Sequence, residues 1–174
     1  MRVRATRFMG EDVRFAAPWG TRLTLTTGLV VGAMVLVVVL AMVTGAYRDA
    51  PTFLAMVGLP MGVVAGGALF LVRGYVVTGD AVVVERLGWR SRIDLGDLVS
   101  AEADPEAMDR SLRLFGNGGL FCFAGLFRNR KLGSYRAFAT DPSRSVVLRF
   151  AERTVVVTPE DPAAFVARIA ESRG

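Results

Sequence analysis

The chain of 174 residues contains no histidine and a single cysteine, Cys122. Without histidine there is no Ser-His-Asp triad, no H-E-x-x-H metalloprotease helix and no imidazole base. One cysteine forms no internal disulfide, and without a histidine it builds neither a zinc site nor a Cys-His nucleophile pair. Its expected role is that of a small buried hydrophobe. Charge is missing over two long stretches, Leu23 to Tyr47 and Ala50 to Val72. Cofactor and metal motifs are missing too. "GNGG" at 116–119 lacks the Gly-Lys-Ser/Thr ending of a phosphate loop, and no βαβ unit surrounds it as a dinucleotide site requires. The acidic "DPEAMD", with Asp104, Glu106 and Asp109, lacks the glycine and closing glutamate of a calcium loop. No catalytic, cofactor or metal residue is therefore assigned.

What is present divides the chain in two. At about 1.5 Å per residue, Leu23 to Gly45 would extend roughly 34 Å and Phe53 to Val72 roughly 30 Å, against a bilayer core of about 30 Å. "LVVGAMVLVVVLAMV" has no polar face such as a soluble core helix would keep, and it exceeds the h-region of a signal peptide. The sequence predicts two transmembrane spans, about 23–45 and 53–72, with "AYRDAPT" as the hairpin turn. Arg2, Arg4, Arg7, Arg14 and Arg22 precede the first span, Arg48 beside Asp49 occupies the turn, and Arg73 follows the second. The positive-inside rule then places both termini in the cytoplasm, with 1–22 as a basic cytoplasmic lead. Gly58, Gly62 and Gly66 lie on one face of the second span, a close-packing stripe for the first span or for a second copy. Pro60 predicts a kink there.

Residues 73–174 read mostly as short strands closed by one helix. "YVVTGDAVVVERL" gives two strands around Gly79-Asp80, a pair suited to a type II′ turn. Further strands are expected near Arg90–Ile93 and Leu98–Ala103. "GSYRAFATD" alternates Tyr135, Ala137 and Ala139 against Arg136, Phe138 and Thr140, and "SVVLRFAERTVVVT" splits into two more near 151–153. Thr158 is the expected N-cap of a last helix, with Pro159 at N1, Asp161 at N3, and Phe165 and Ile169 on the buried face. The fold class is α+β: a two-helix transmembrane hairpin followed by a small antiparallel β-barrel or sandwich with a helical plug. The stretches 75–103, "RLFGNGGLFCFAGLFRNRKLGSYRAFATD" and "SVVLRFAERTVVVTPEDPAAFVARI" resemble the bacterial pleckstrin-homology-like (PH-like) domains found behind paired transmembrane helices. The resemblance spans Arg73 to about Arg173; it implies a PH-like fold and a place in the bacterial inner membrane, and carries fold further than function.

The run from Gly118 to Phe127 is uncharged and apolar but too short for a third span. Either Leu120, Phe121, Phe123, Leu126 and Phe127 fill the core, or Phe121 and Phe127 are exposed and touch the bilayer interface. Around it Arg110, Arg113, Arg128, Arg130, Lys131 and Arg136 occur with no acidic residue among them, whereas 94–109 is purely acidic. These six cations are the candidate ligand-binding residues: each Lys or Arg near an anionic leaflet is worth about 1 kcal/mol. The alternative is that they form a solvated rim or pair with the acidic run. The reading is a non-enzymatic binding or scaffolding module. Its partner classes are anionic lipid, a membrane protein or a second copy. Nucleic acid is disfavoured because the cations are few and the domain is tethered. The alternatives are an accessory subunit of a transport or secretion complex, and a lipid-modifying enzyme using Asp94 or Asp97.

Overall fold

The computed structural model describes residues 12–173. Arg2, Arg4 and Arg7 of the basic lead lie outside these residues. The lead is not simply a lead, because Val13–Ala16 forms a strand, β1. Two apolar helical runs follow. The first is α1 (Thr21–Val43); the second, Ala50–Leu69, is made of α2 (Ala50–Phe53), a π-helical turn (Leu54–Gly58) and α3 (Leu59–Leu69). Both are long and apolar enough to cross a membrane, and their side chains are largely exposed rather than packed into the protein. At Pro60, where a kink was expected, the helix carries a π turn, Leu54–Gly58, just ahead of the proline. Proline offers no N–H to the carbonyl four residues back, and the ladder shifts register to absorb the gap.

The second run ends at Leu69, earlier than predicted, since Val72 already begins strand β2 (Val72–Val77). The stripe of small residues does not join the two runs. A Cβ built at Gly62 or Gly66 meets nothing within 4 Å, and one at Gly58 meets only Leu54 of its own helix. Instead an apolar groove of about 410 Å³ separates the helices, lined by residues such as Val35, Val38, Met61 and Val64.

The remaining strands are β3 (Ala81–Arg86), β4 (Arg90–Asp94), β5 (Leu98–Ala103), β6 (Leu112–Gly118), β7 (Phe123–Asn129), β8 (Gly133–Ala139), β9 (Val146–Phe150) and β10 (Thr154–Val157), followed by helix α4 (Pro162–Arg173). They form two sheets, β1-β2-β3-β4 and β5-β9-β10-β8-β7-β6. The barrel alternative is thereby corrected to an open sandwich, because no hydrogen-bonded pair links the sheets among the described residues. The all-antiparallel expectation is corrected as well. β10 turns back from β9 and fills the place beside β8, where it runs parallel. β1 pairs antiparallel with β2, from Val13↔Val77 to Ala16↔Gly74. The helical hairpin is therefore inserted between two neighbouring strands of one sheet.

The sandwich interior holds Tyr75, Val82, Val84, Leu148, Val155 and Val157, with Phe165 and Ile169 of α4 closing one side, as their spacing predicted. The outer face of the larger sheet carries a second small core of Phe127, Tyr135, Ala137, Val147 and Val156 under Ala107 and Met108. Two local expectations change. Gly79 lacks the positive φ of a type II′ turn. There the Thr78 hydroxyl holds the turn, donating to Ala81 O and accepting from Ala81 N. The helix N-cap is Asp161, whose Oδ1 accepts from Ala164 N, with Pro162 as the first helical residue. Thr158 is buried, and its Oγ1 accepts from the N–H groups of Thr140 and Asp141 at 2.8 and 3.3 Å. It closes the end of β8.

Candidate functional site

Strand alternation places the residues of interest. On β3 the inward positions are Val82, Val84 and then Arg86; on β8 they are Phe138, Arg136 and Ser134; on β7 they are Ala124, Leu126 and Arg128. On each of the three strands the inner face is apolar at one end and polar at the other. At the polar end, the sheets stand apart and enclose a cleft of about 830 Å³. Phe70, directly after α3, and Trp89 in the β3–β4 turn form one wall; Phe115, Leu126, Arg136 and Phe138 form another. Gly116 and Gly125 allow this geometry. They face each other across β6 and β7 at φ +104° and +147°, and a Cβ on Gly125 would lie 2.1 Å from Phe115 O. Only glycine tolerates that approach at positive φ.

Arg86 is the unusual member. Its guanidinium lies 4.8 Å from the Phe138 ring centroid, 5.3 Å from Trp89 and 5.9 Å from Phe70. Its Nε is buried and has no hydrogen-bond partner among the described residues. Burial pushes its pKa down, and the neighbouring Arg136 adds to that. Cation–π contacts of this kind return about 0.5–2 kcal/mol, but a guanidinium presents five N–H donors, and rings do not replace the acceptors lost on burial. The nearby carboxylates are occupied. Glu85, on the other face of β3, pairs with Arg14 at 2.7 Å and Arg90 at 3.4 Å, while Asp80 and Asp94 pair with Arg92 at 2.6 and 2.7 Å. Glu152 lies on the rim of the cleft, exposed to solvent.

The six cations predicted from sequence are not gathered into one face. Arg136 enters the cleft and lies 5.9 Å from the Phe138 ring. Arg128 is on the same side of the sheet and exposed. Arg113, opposite Phe127, is on the other side, and its Nη1 donates to Gly116 O. Arg110 and Arg130 are exposed, Arg110 at a positive φ of 49°. Lys131 is engaged by Asp104 at 2.7 Å, the pairing with the acidic run that the sequence left as an alternative.

The aromatic candidates also change role. Phe127 is core, 4% exposed and stacked on Tyr135 with centroids 6.0 Å apart. Phe121, at φ +66°, is part of a joint between the domain and the helices. Its N–H donates to Thr27 Oγ1 of α1, its ring lies 6.3 Å from Trp19, and Leu120 beside it would meet a Cβ on Gly67 of α3 at 3.0 Å. Cys122, buried as expected, donates through Sγ to Phe70 O, and burial pushes the thiol up to about 11. Of the run itself Leu126 is exposed, and the other exposed apolar side chains of this region are Leu112, Leu114 and Phe115 on β6, an edge strand of the larger sheet. Sequence reasoning missed them because three apolar residues within four positions give no face. It missed Arg86 although a signal was there: in "AVVVERL" the alternation that buries Val82 and Val84 carries Arg86 inward too.

Comparison with known proteins agrees with this architecture. The family described as Bacterial PH domain matches residues 73–172, more than half of the chain. Neither a curated protein nor a solved structure matches the chain significantly.

Proposed function

Because the chain belongs to the bacterial PH domain family, whose members are typically binding modules, we propose that it is a non-enzymatic binding module held at the cytoplasmic face of the bacterial cell membrane by its two apolar helices. The insertion of the helical hairpin between β1 and β2 carries this reading. A domain on one flexible linker would sample many heights and orientations above a bilayer. Here the chain leaves the domain before α1, where Gly20 N donates to Thr140 O, and re-enters it after α3, where Leu87 N donates to Leu71 O. The joint of Leu120, Phe121 and Cys122 adds a third attachment. Three ties hold one orientation, and a domain so held presents a defined surface to headgroups and to neighbours in the membrane.

The anionic leaflet is the first partner class, given the exposed Arg128, Arg130 and Arg136 and the gain of about 1 kcal/mol per surface cation. One observation favours a second reading, an accessory subunit of a membrane complex. β6, paired with β7 on one side only among the described residues, is a sheet edge with Leu112 68% and Phe115 79% exposed, and such an edge accepts a strand from a protein partner.

Cysteine labelling tests the topology, with Cys122 buried and silent in the parent chain. Asp49→Cys should react with an impermeant reagent in intact cells, and Ser172→Cys only after the inner face is opened; labelling of Ser172→Cys in intact cells defeats the orientation. Purification in native lipid discs then separates the partners. Enriched anionic lipid supports the first reading, and a stoichiometric membrane protein supports the second.

A further inference from the structure

The cleft between the sheets contains a charge that no ion pair answers among the described residues. The Arg86 guanidinium lies against three aromatic rings, its Nε meets no acceptor among the described residues, and the nearby carboxylates Glu85, Asp80 and Asp94 are already paired with Arg14, Arg90 and Arg92. Arg136 approaches the same Phe138 ring from β8, so two guanidinium groups converge where like charges repel. A half-buried guanidinium whose Nε has no acceptor among the described residues is a costly arrangement, and an arriving oxyanion relieves it by accepting from both guanidinium groups. Phe70, Trp89, Ile93, Phe115 and Leu126 give the cleft an apolar wall, and its remaining charged groups, Arg92, Glu152 and Arg153, are exposed, Arg92 already held by Asp80 and Asp94. Phe70 immediately follows α3, so the cleft opens beside the end of an apolar helix.

We infer that this cleft is a binding site for an anionic amphiphile, a phosphate or carboxylate head held by Arg86 and Arg136 with its hydrocarbon chain against Trp89, Leu126 and Phe115. The inference rests on the reading of the chain as a membrane-anchored binding module and gives that module its ligand class. The volume of about 830 Å³ lies within the range of small-ligand sites. A head alone would leave the aromatic wall wet, and an uncharged chain alone would leave Arg86 unpaired. Both features are met by one molecule that carries both.

The test uses the full chain in discs of zwitterionic phosphatidylcholine, with Trp19→Phe so that Trp89 reports on the cleft. Three soluble probes are titrated: dihexanoyl phosphatidic acid, dihexanoyl phosphatidylcholine and inorganic phosphate. The expected result is a saturable change in Trp89 fluorescence with phosphatidic acid, at least tenfold weaker binding of phosphate, and no saturable response to phosphatidylcholine. Arg86→Gln should weaken phosphatidic acid binding at least tenfold. Arg136→Gln, at an exposed position that should leave the fold intact, should weaken it severalfold. Equal binding by parent and both variants, or equal affinity for phosphate and phosphatidic acid, overturns the inference. The two failures are distinguishable: a chain stripped from native membranes by alkaline carbonate defeats the anchored reading, while a membrane-integrated chain that ignores phosphatidic acid defeats only this one.

Discussion

Two polar clusters meet at Phe138, and they are built on opposite rules. On one side the buried Tyr75 hydroxyl donates to the Phe138 carbonyl and accepts from Thr158 N, while Thr158 Oγ1 accepts from Thr140 N. On the other side the Phe138 ring faces Arg86, whose Nε has no acceptor among the described residues. In the first cluster the groups satisfy one another and nothing is left to offer a ligand. In the second, a donor set stands at the floor of an open cleft. Polar groups that close on themselves hold a fold together, whereas polar groups kept from partners are available for binding.

The comparison is broken most severely from the closed side. Tyr75→Phe removes the donor to Phe138 O and the acceptor for Thr158 N in a site with no access to solvent. Leaving buried groups unsatisfied costs about 1–3 kcal/mol. A melt of the full chain in detergent should show that loss, and a variant as stable as the parent would remove the cluster from the stability of the fold. Tyr75 of this cluster and the buried Cys122 together set the alkaline limit. Burial raises Tyr75 from 10.0 to about 12 and Cys122 from 9.0 to about 11. Both groups are neutral in the folded state and ionise first in the unfolded chain. Their contribution is therefore fully present below pH 9 and is lost as pH rises through about 9–12. Stability should fall across that window, and Tyr75→Phe should flatten its upper part.

Much of this was legible in the sequence, and the exceptions have physical causes. The strands of 72–103 and 133–157, and the pairing of Phe165 with Ile169, follow from local periodicity, which one segment carries alone. β1 was not legible, because "VRFA" acquires its meaning only from β2, with the whole hairpin between them. The cation cluster was misjudged for the same reason. Counting charges along 110–136 ignores that Arg113 and Arg136 lie on opposite faces of the sheet and that Lys131 meets Asp104. Arg86, beside Glu85 at the end of an apolar run, attracted no notice, since an adjacent pair of opposite charges at a strand end reads as solvated. Its environment comes from rings at positions 70, 89 and 138, which the sequence keeps far apart.

The open side predicts a smaller effect of opposite sign. Arg86→Met keeps much of the side chain's length and its contact with the rings while removing a partly desolvated charge that has no ion pair among the described residues. Replacing such a charge by a packed hydrophobe is neutral or stabilising by about 1 kcal/mol. The detergent melt should therefore stay level or rise, at the expense of phosphatidic acid binding. A clear loss of stability would mean that Arg86 is a structural cation like the closed cluster, and the contrast would collapse.

The smallest effect is expected from the rim. Arg128, Arg130 and Lys131 are exposed, and Lys131 is already matched by Asp104. Exposed pairs of this kind contribute about 0–1 kcal/mol, so replacing all three by glutamine should leave the melt within about 1 kcal/mol of the parent. Their influence on binding should be long-ranged and screened. At low salt the triple variant should capture phosphatidic acid more slowly, and the difference should fade as the Debye length shrinks to about 8 Å at physiological ionic strength. Arg86 lies within the cleft and acts by contact, so the weakening caused by Arg86→Gln should persist at high salt. Stopped-flow traces of Trp89 at two ionic strengths separate the two behaviours. If the triple variant loses affinity at high salt as fully as Arg86→Gln does, recognition belongs to the rim, and the floor of the cleft is no longer its centre.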